Sequence, residues 1–134
     1  MFRILLYIYS LLFVVLGLLG YLPFYAFQAV TGKRRSVLFP RFRPPESAPA
    51  KSPTGSPPRI WVHAVSVGEV NAVRPLIRRL LDEGYTTLIS TTTHTGQKIA
   101  QDHFGGKATI FYFPIDLRII CRNFLRRLDP DLVI

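Results

Sequence analysis

The stretch Ile60-Trp61-Val62-His63-Ala64-Val65-Ser66-Val67-Gly68-Glu69 changes texture midway. Ile60–Val65 is a short apolar, β-rich run, bounded by the turn residues Ser66 and Gly68. From Glu69 to Glu83 the apolar residues fall at 70, 73, 76, 77, 80 and 81, a helical period that Gly84 stops. A strand, a tight turn and a helix in that order predict the opening unit of an α/β domain. Pro75 lies inside the helical stretch, where it is expected to kink the helix or delay its start.

The alternation continues downstream. Thr86–Thr91 predicts a second strand, Gly96–Phe104 a second helix closed by Gly105-Gly106, and Ala108–Phe113 a third strand. Leu117, Ile120, Cys121, Phe124, Leu125 and Leu128 share one face of a third helix, and Asp131–Ile134 opens a fourth strand. Strands and helices joined by short loops imply a parallel sheet with right-handed crossovers, Rossmann-like in class. Such a sheet is covered on both faces, and four strands with three helices make about half of a doubly wound domain. Residues 60–134 are therefore expected to form a partial domain, truncated at Ile134. Ser66-Val67-Gly68-Glu69 is not the G-x-G-x-x-G fingerprint of a dinucleotide site.

Upstream the composition is different. Residues 1–59 carry eight Lys and Arg against the single Glu46, while residues 60–134 carry nine against seven acids. The net charge of +9 thus belongs mainly to the N-terminal third, which argues against a nucleic-acid-binding domain. Ile4–Gly32 holds no charged side chain, and Ile4–Leu22 is almost wholly Leu, Ile, Val, Phe, Tyr and Gly. As a helix that run rises about 28 Å, close to the hydrocarbon thickness of a bilayer. Tyr21, Phe24, Tyr25 and Phe27 fall where an interfacial belt would lie, and Lys33, Arg34, Arg35, Arg41 and Arg43 follow. These features predict a transmembrane helix within residues 1–32, with the rest of the chain on the cytoplasmic side of the cell inner membrane.

Two other readings of that helix are weaker. A signal peptide has a shorter apolar core, and the A-x-A match at Ala48–Ala50 lies well downstream. A helix apolar on every side can also be buried, but only in a large protein. Residues 33–59, with seven prolines from Pro40 to Pro58, are expected to be a basic, proline-rich, extended linker. The single cysteine excludes a disulfide framework and fits a reducing compartment.

Trp61-Val62-His63-Ala64-Val65-Ser66-Val67-Gly68-Glu69, Arg74-Pro75-Leu76 and Thr91-Thr92-Thr93-His94-Thr95-Gly96 together resemble a known family. Phe113-Pro114-Ile115-Asp116 and Asp129-Pro130-Asp131-Leu132-Val133-Ile134 continue the match. The family is the 3-deoxy-D-manno-octulosonic acid (Kdo) transferases of lipopolysaccharide biosynthesis. The resemblance implies a GT-B glycosyltransferase with two Rossmann-like domains, which moves Kdo from CMP-Kdo to lipid A precursor at the cytoplasmic face of the inner membrane. It also implies that this chain holds half of the N-terminal, acceptor-side domain and none of the CMP pocket, and that alone it is inactive. Membrane lipids are a further expected partner.

The resemblance makes Glu69 the catalytic base. At a strand-to-helix turn its carboxylate meets backbone N–H groups and a helix dipole that favour negative charge, which suits a proton acceptor. The plainer reading is a first-turn Glu that stabilises its helix. Ser66, Gly68, Thr92, Thr93 and Gly96 are the candidate acceptor-binding residues, since ligands of open α/β sheets sit at the carboxyl ends of the strands. Each has a structural counterpart: Ser66 and Thr93 as helix caps, Gly68 as the small residue of a sharp turn. No cofactor is expected, and His63, His94 and His103 lack the spacing of a metal site. Arg118, Arg122 and Arg126 form a basic stripe that is either solvated or set against anionic headgroups. Cys121 is expected to be a packed thiol. A membrane-tethered α/β binding or scaffold protein, another GT-B transferase, and the nonfunctional product of a truncated gene are the other classes open to this sequence.

Overall fold

The computed structural model describes residues 2–30, 38–47 and 55–134. Four strands form one parallel sheet: β1 (Arg59–His63), β2 (Thr86–Thr91), β3 (Thr109–Tyr112) and β4 (Leu132–Val133), in the order β3-β2-β1-β4. Between them run α2 (Val67–Asp82), α3 (His94–Phe104) and α4 (Arg118–Leu128). Successive strands step outward from β1 to β3, and the chain then crosses back so that β4 pairs with the other side of β1. That reversal is a topological switch point, and it lies at β1.

The near-continuous apolar strands follow from burial on both sides. Ile60 and Val62 point to a core with Val70, Ile77, Leu80, Ala100 and Phe104 of α2 and α3. Trp61 points the other way, to a core with Leu88, Phe111 and the α4 residues Ile120, Phe124 and Leu128. Leu125, expected on the apolar face of α4, is instead exposed, and Cys121 is only partly covered. Burial nonetheless pushes the Cys121 thiol up, with the Asp116 carboxylate adding to it.

The elements lie close to their expected positions, with differences at the ends. α3 begins two residues early because Thr93 caps it, its hydroxyl accepting from Gly96 N–H at 3.1 Å. α2 runs from Val67 through Pro75 to Asp82, so its start is not delayed. β1 begins at Arg59, a residue that the sequence reading left in the linker. Arg59 is 2% exposed; its N–H donates to Asp131 Oδ2 and its guanidinium to the Leu128 carbonyl at the end of α4.

The described part of the N-terminal third stands outside the sheet. α1 (Phe2–Val30) is helical, but its side chains are described only for residues 4–20. Among the described residues no helix is long and apolar enough to cross a membrane. The aromatic belt expected at 21–27 lies outside the described side chains. Tyr9 donates to Asp116 Oδ2 at 2.8 Å and the Arg118 guanidinium sits 5.5 Å over the Tyr7 ring, so α1 touches the start of α4. Residues 33–37 and 48–54 of the expected linker also lie outside the described residues. Its described middle is docked rather than extended: a 3-10 turn at Phe39–Arg41 lies against β3.

Candidate functional site

The carboxyl ends of β1 and β2 are stitched into one surface. Ala64 N–H donates to Ser90 O at 2.9 Å, and Val65 O accepts from both Thr92 and Thr93 N–H at 3.2 Å. The β1–α2 turn and the β2–α3 turn are thereby joined, and they bring Ser66, Gly68, Glu69, Thr92, Thr93 and Gly96 together.

Glu69 is exposed in the first turn of α2. Its Oε2 accepts from Val65 N–H at 2.9 Å and its Oε1 faces the Ser66 hydroxyl at 3.4 Å. An ionised carboxylate offers about four lone-pair sites, so this tether leaves capacity for a substrate hydroxyl. Ser66 stands at the N-cap with extended backbone, yet its side chain makes no cap hydrogen bond; its hydroxyl is turned to Glu69. Thr93 is spent on capping α3. Thr92 is half-buried at the rim.

The two glycines differ. Gly68 does not need a left-handed backbone, and a Cβ there would meet only Ser66 Oγ at 3.9 Å. The sharp-turn role expected for it is not required by the geometry, and its exposed face is open to a ligand. Gly96 is buried, and a Cβ would lie 2.9 Å from Thr93 Oγ1 and 3.3 Å from the Ser66 carbonyl carbon. Gly96→Ala is therefore expected to cost about 1–3 kcal/mol by overpacking. Gly68→Ala should be neutral or slightly stabilising, since Ala exceeds Gly in helix propensity by about 1 kcal/mol. Urea unfolding midpoints test the pair, and equal midpoints would show that the two turns can part without loss.

Further residues complete the surface. Trp61 Nε1–H donates to Ser90 Oγ at 2.7 Å, and Ser90 Oγ lies 2.9 Å from His63 Nδ1. Indole is a donor only, so the buried Ser90 hydroxyl accepts from Trp61, and that hydroxyl and the Ser90 carbonyl, 3.2 Å away, both face His63 Nδ1. Burial pushes the His63 imidazole below its ordinary value; the Ser90 carbonyl and Glu69 oppose this, and Arg41 adds to it. The His63 ring stacks on Phe113 at 4.0 Å. Arg41, from the docked 3-10 turn, donates through Nε to the Phe113 carbonyl at 3.0 Å. Sequence reasoning considered His63 only as a metal ligand and Arg41 only as a flanking charge. A histidine ending a buried strand was the available signal for the first; nothing local marked the second. Among the described residues no group of three or more His, Cys, Asp or Glu comes together as a metal site.

Comparison with known proteins bears on this surface. Residues 35–134 match the family profile described as 3-deoxy-D-manno-octulosonic-acid transferase. The chain is similar to the 3-deoxy-D-manno-octulosonic acid transferase of Bordetella pertussis, 38% identical over 88 residues, covering 62% of the chain and 20% of the relative. It is similar to those of Chlamydia trachomatis serovar D, 36% identical over 60% of the chain and 19% of the relative, and of Haemophilus influenzae, 38% identical over 58% and 19%. The chain spans about a fifth of the length of these curated relatives. No solved structure gives a significant match.

Proposed function

The chain belongs to the 3-deoxy-D-manno-octulosonic-acid transferase family, and from that premise we propose that it is the acceptor-side part of a membrane-anchored enzyme that transfers Kdo from CMP-Kdo to lipid A precursor. The observation that carries this reading is the exposed Glu69 carboxylate, tethered at the carboxyl end of β1 where the sheet reverses. In the proposed step the acceptor hydroxyl oxygen attacks the anomeric carbon of Kdo. The bond from that carbon to the phosphate oxygen breaks, CMP leaves with the electron pair, and Glu69 takes the hydroxyl proton. Ser66 keeps the carboxylate aimed, the open face of Gly68 lets the acceptor sugar approach, and Thr92 and Thr93 form the rim. Gly96 acts by letting the two turns close together.

Membrane attachment through α1 on the cytoplasmic side of the inner membrane is part of the same proposal. Ile4, Leu5, Leu11, Leu16 and Leu19 are all more than half exposed, an apolar surface that calls for a cover. An exposed hydrogen bond such as Tyr9–Asp116 contributes about 1 kcal/mol. Inserting the twelve Leu, Ile, Phe and Val side chains between 4 and 20 favours the bilayer by about 4–7 kcal/mol. Lipid wins, and the exposed Arg118, Arg122 and Arg126 stripe would then face anionic headgroups.

One experiment tests both parts. An enzyme of the relatives' full length carrying this segment is produced in cells, and the membranes are washed with alkaline carbonate. Labelled Kdo should pass from CMP-Kdo to lipid A precursor in the washed pellet. Activity recovered only in the wash would overturn the anchor, and no transfer in either fraction would overturn the reaction.

A further inference from the structure

Arg41 is held more firmly than a linker residue needs. Its Nε donates to the Phe113 carbonyl at 3.0 Å, and its own carbonyl accepts from Ile115 N–H at 3.2 Å. These two bonds pin the residue on both sides of its Cα to the loop that follows β3. Among the described residues its two terminal nitrogens make no hydrogen bond, and that pair is the edge with which a guanidinium grips an oxyanion. The anchor is shared with the site: the Phe113 carbonyl holds Arg41 while the Phe113 ring stacks on His63. Glu69 borders the same strand end, accepting from Val65 N–H two residues after His63.

The mouth at this strand end has an electrostatic difficulty. An anionic substrate nearing the exposed Glu69 meets like charge, and a fixed cation across the mouth offsets it. Arg43, two residues on, points elsewhere, into an edge cavity of about 400 Å³ with Phe39, Gln97 and Tyr112.

We propose that Arg41, set down on the end of β3 by the segment that follows α1, is a binding residue for an oxyanion, phosphate or carboxylate, carried by a substrate of the Glu69 site. Only the substrate's identity rests on the transferase reading. His63, which donates from both ring nitrogens once protonated, is the second donor to the same group.

The test uses inorganic phosphate and the chain itself in detergent, with ionic strength held constant by sodium chloride. Phosphate is titrated while the His63 ring signals are followed by NMR. The signals should shift saturably, and the ring should titrate at higher pH once the anion is bound. Arg41→Gln should weaken phosphate binding by about tenfold or more, the scale of a hydrogen bond to a charged group. Arg41→Lys keeps the charge without the fork and should lose only part. Arg43→Gln removes an equal charge from the same segment and should change nothing. No saturable shift in the wild type, or the same affinity in Arg41→Gln with its backbone spectrum intact, would overturn the proposal.

Steady-state kinetics in an enzyme of the relatives' length identify the source. Arg41→Gln should raise KM for one substrate, donor or acceptor, with kcat changed by less than about threefold; a fall in kcat alone would also overturn the proposal. Phosphate binding is read without turnover, so its failure leaves the transfer assay standing, and a failed transfer assay leaves phosphate binding standing.

Discussion

Glu69→Gln, in an enzyme of the relatives' full length carrying this segment, should lower Kdo transfer by about 10²–10⁴-fold, the usual worth of general-base assistance. The substitution is discriminating because of how the carboxylate is held. Gln keeps an oxygen to accept the Val65 N–H, and its amide can donate to the Ser66 hydroxyl, so both tethers survive. What disappears is the negative charge and the ability to take a proton. Stability should change by only about 0.3–1 kcal/mol, the scale of one exposed charge at a helix N-terminus. The competing role is also visible in the geometry, since accepting an N–H ahead of the helix is what a capping carboxylate does. If that were its whole role, the variant would lose about that much stability and transfer normally. A folded Glu69→Gln enzyme keeping more than about a tenth of wild-type transfer would remove Glu69 as the base.

Phe124→Ala should destabilise the chain by about 3–5 kcal/mol, as for other fully buried aromatics. Phe124 is fully buried in the core between α4 and the sheet, 6.0 Å from the Phe111 ring. On this face α4 is the helix that contributes to the core, whereas α2 and α3 share the other, so the cavity has few neighbours able to close over it. Against a total stability of about 5–15 kcal/mol such a loss leaves a large unfolded fraction under mild denaturant. Leu125→Ala is the control. Leu125 is 47% exposed, and its truncation should stay within about 0.5 kcal/mol. Urea midpoints that fell equally for both would show that α4 presents a different face to the sheet.

Those adjacent residues illustrate how far sequence reading reached. Leu125 fits the apolar period of α4 as well as Phe124 does, but the crossing of helix and sheet admits only the narrower line through Ile120, Phe124 and Leu128. Strand and helix positions were legible because apolar spacing and glycine stops are local signals. The cluster at Ser66–Glu69 and Thr92–Gly96 was legible because the ends of adjacent parallel strands must meet. The role of Gly96 was not, because its close neighbour is the Ser66 backbone, thirty residues away. Arg41 was hidden for the same reason. A proline-rich segment has no periodicity, and the Phe113 carbonyl that docks it is 72 residues on. The contact of Tyr9 with Asp116 was hidden likewise, because hydropathy and flanking charge do not report a partner 107 residues away.

The line from Trp61 through Ser90 to His63 also makes the molecule its own optical gauge. Trp61 is the sole tryptophan, almost fully buried, with its indole N–H tied to the hydroxyl that serves the histidine at the mouth. Light emitted by a protein of this composition on selective indole excitation comes from one address. Its colour and intensity follow how strongly that N–H is engaged, and so whether His63 leans on Ser90 or turns to an arriving anion. Occupancy of the site can thus be followed in dilute solution, without label, substrate analogue or turnover.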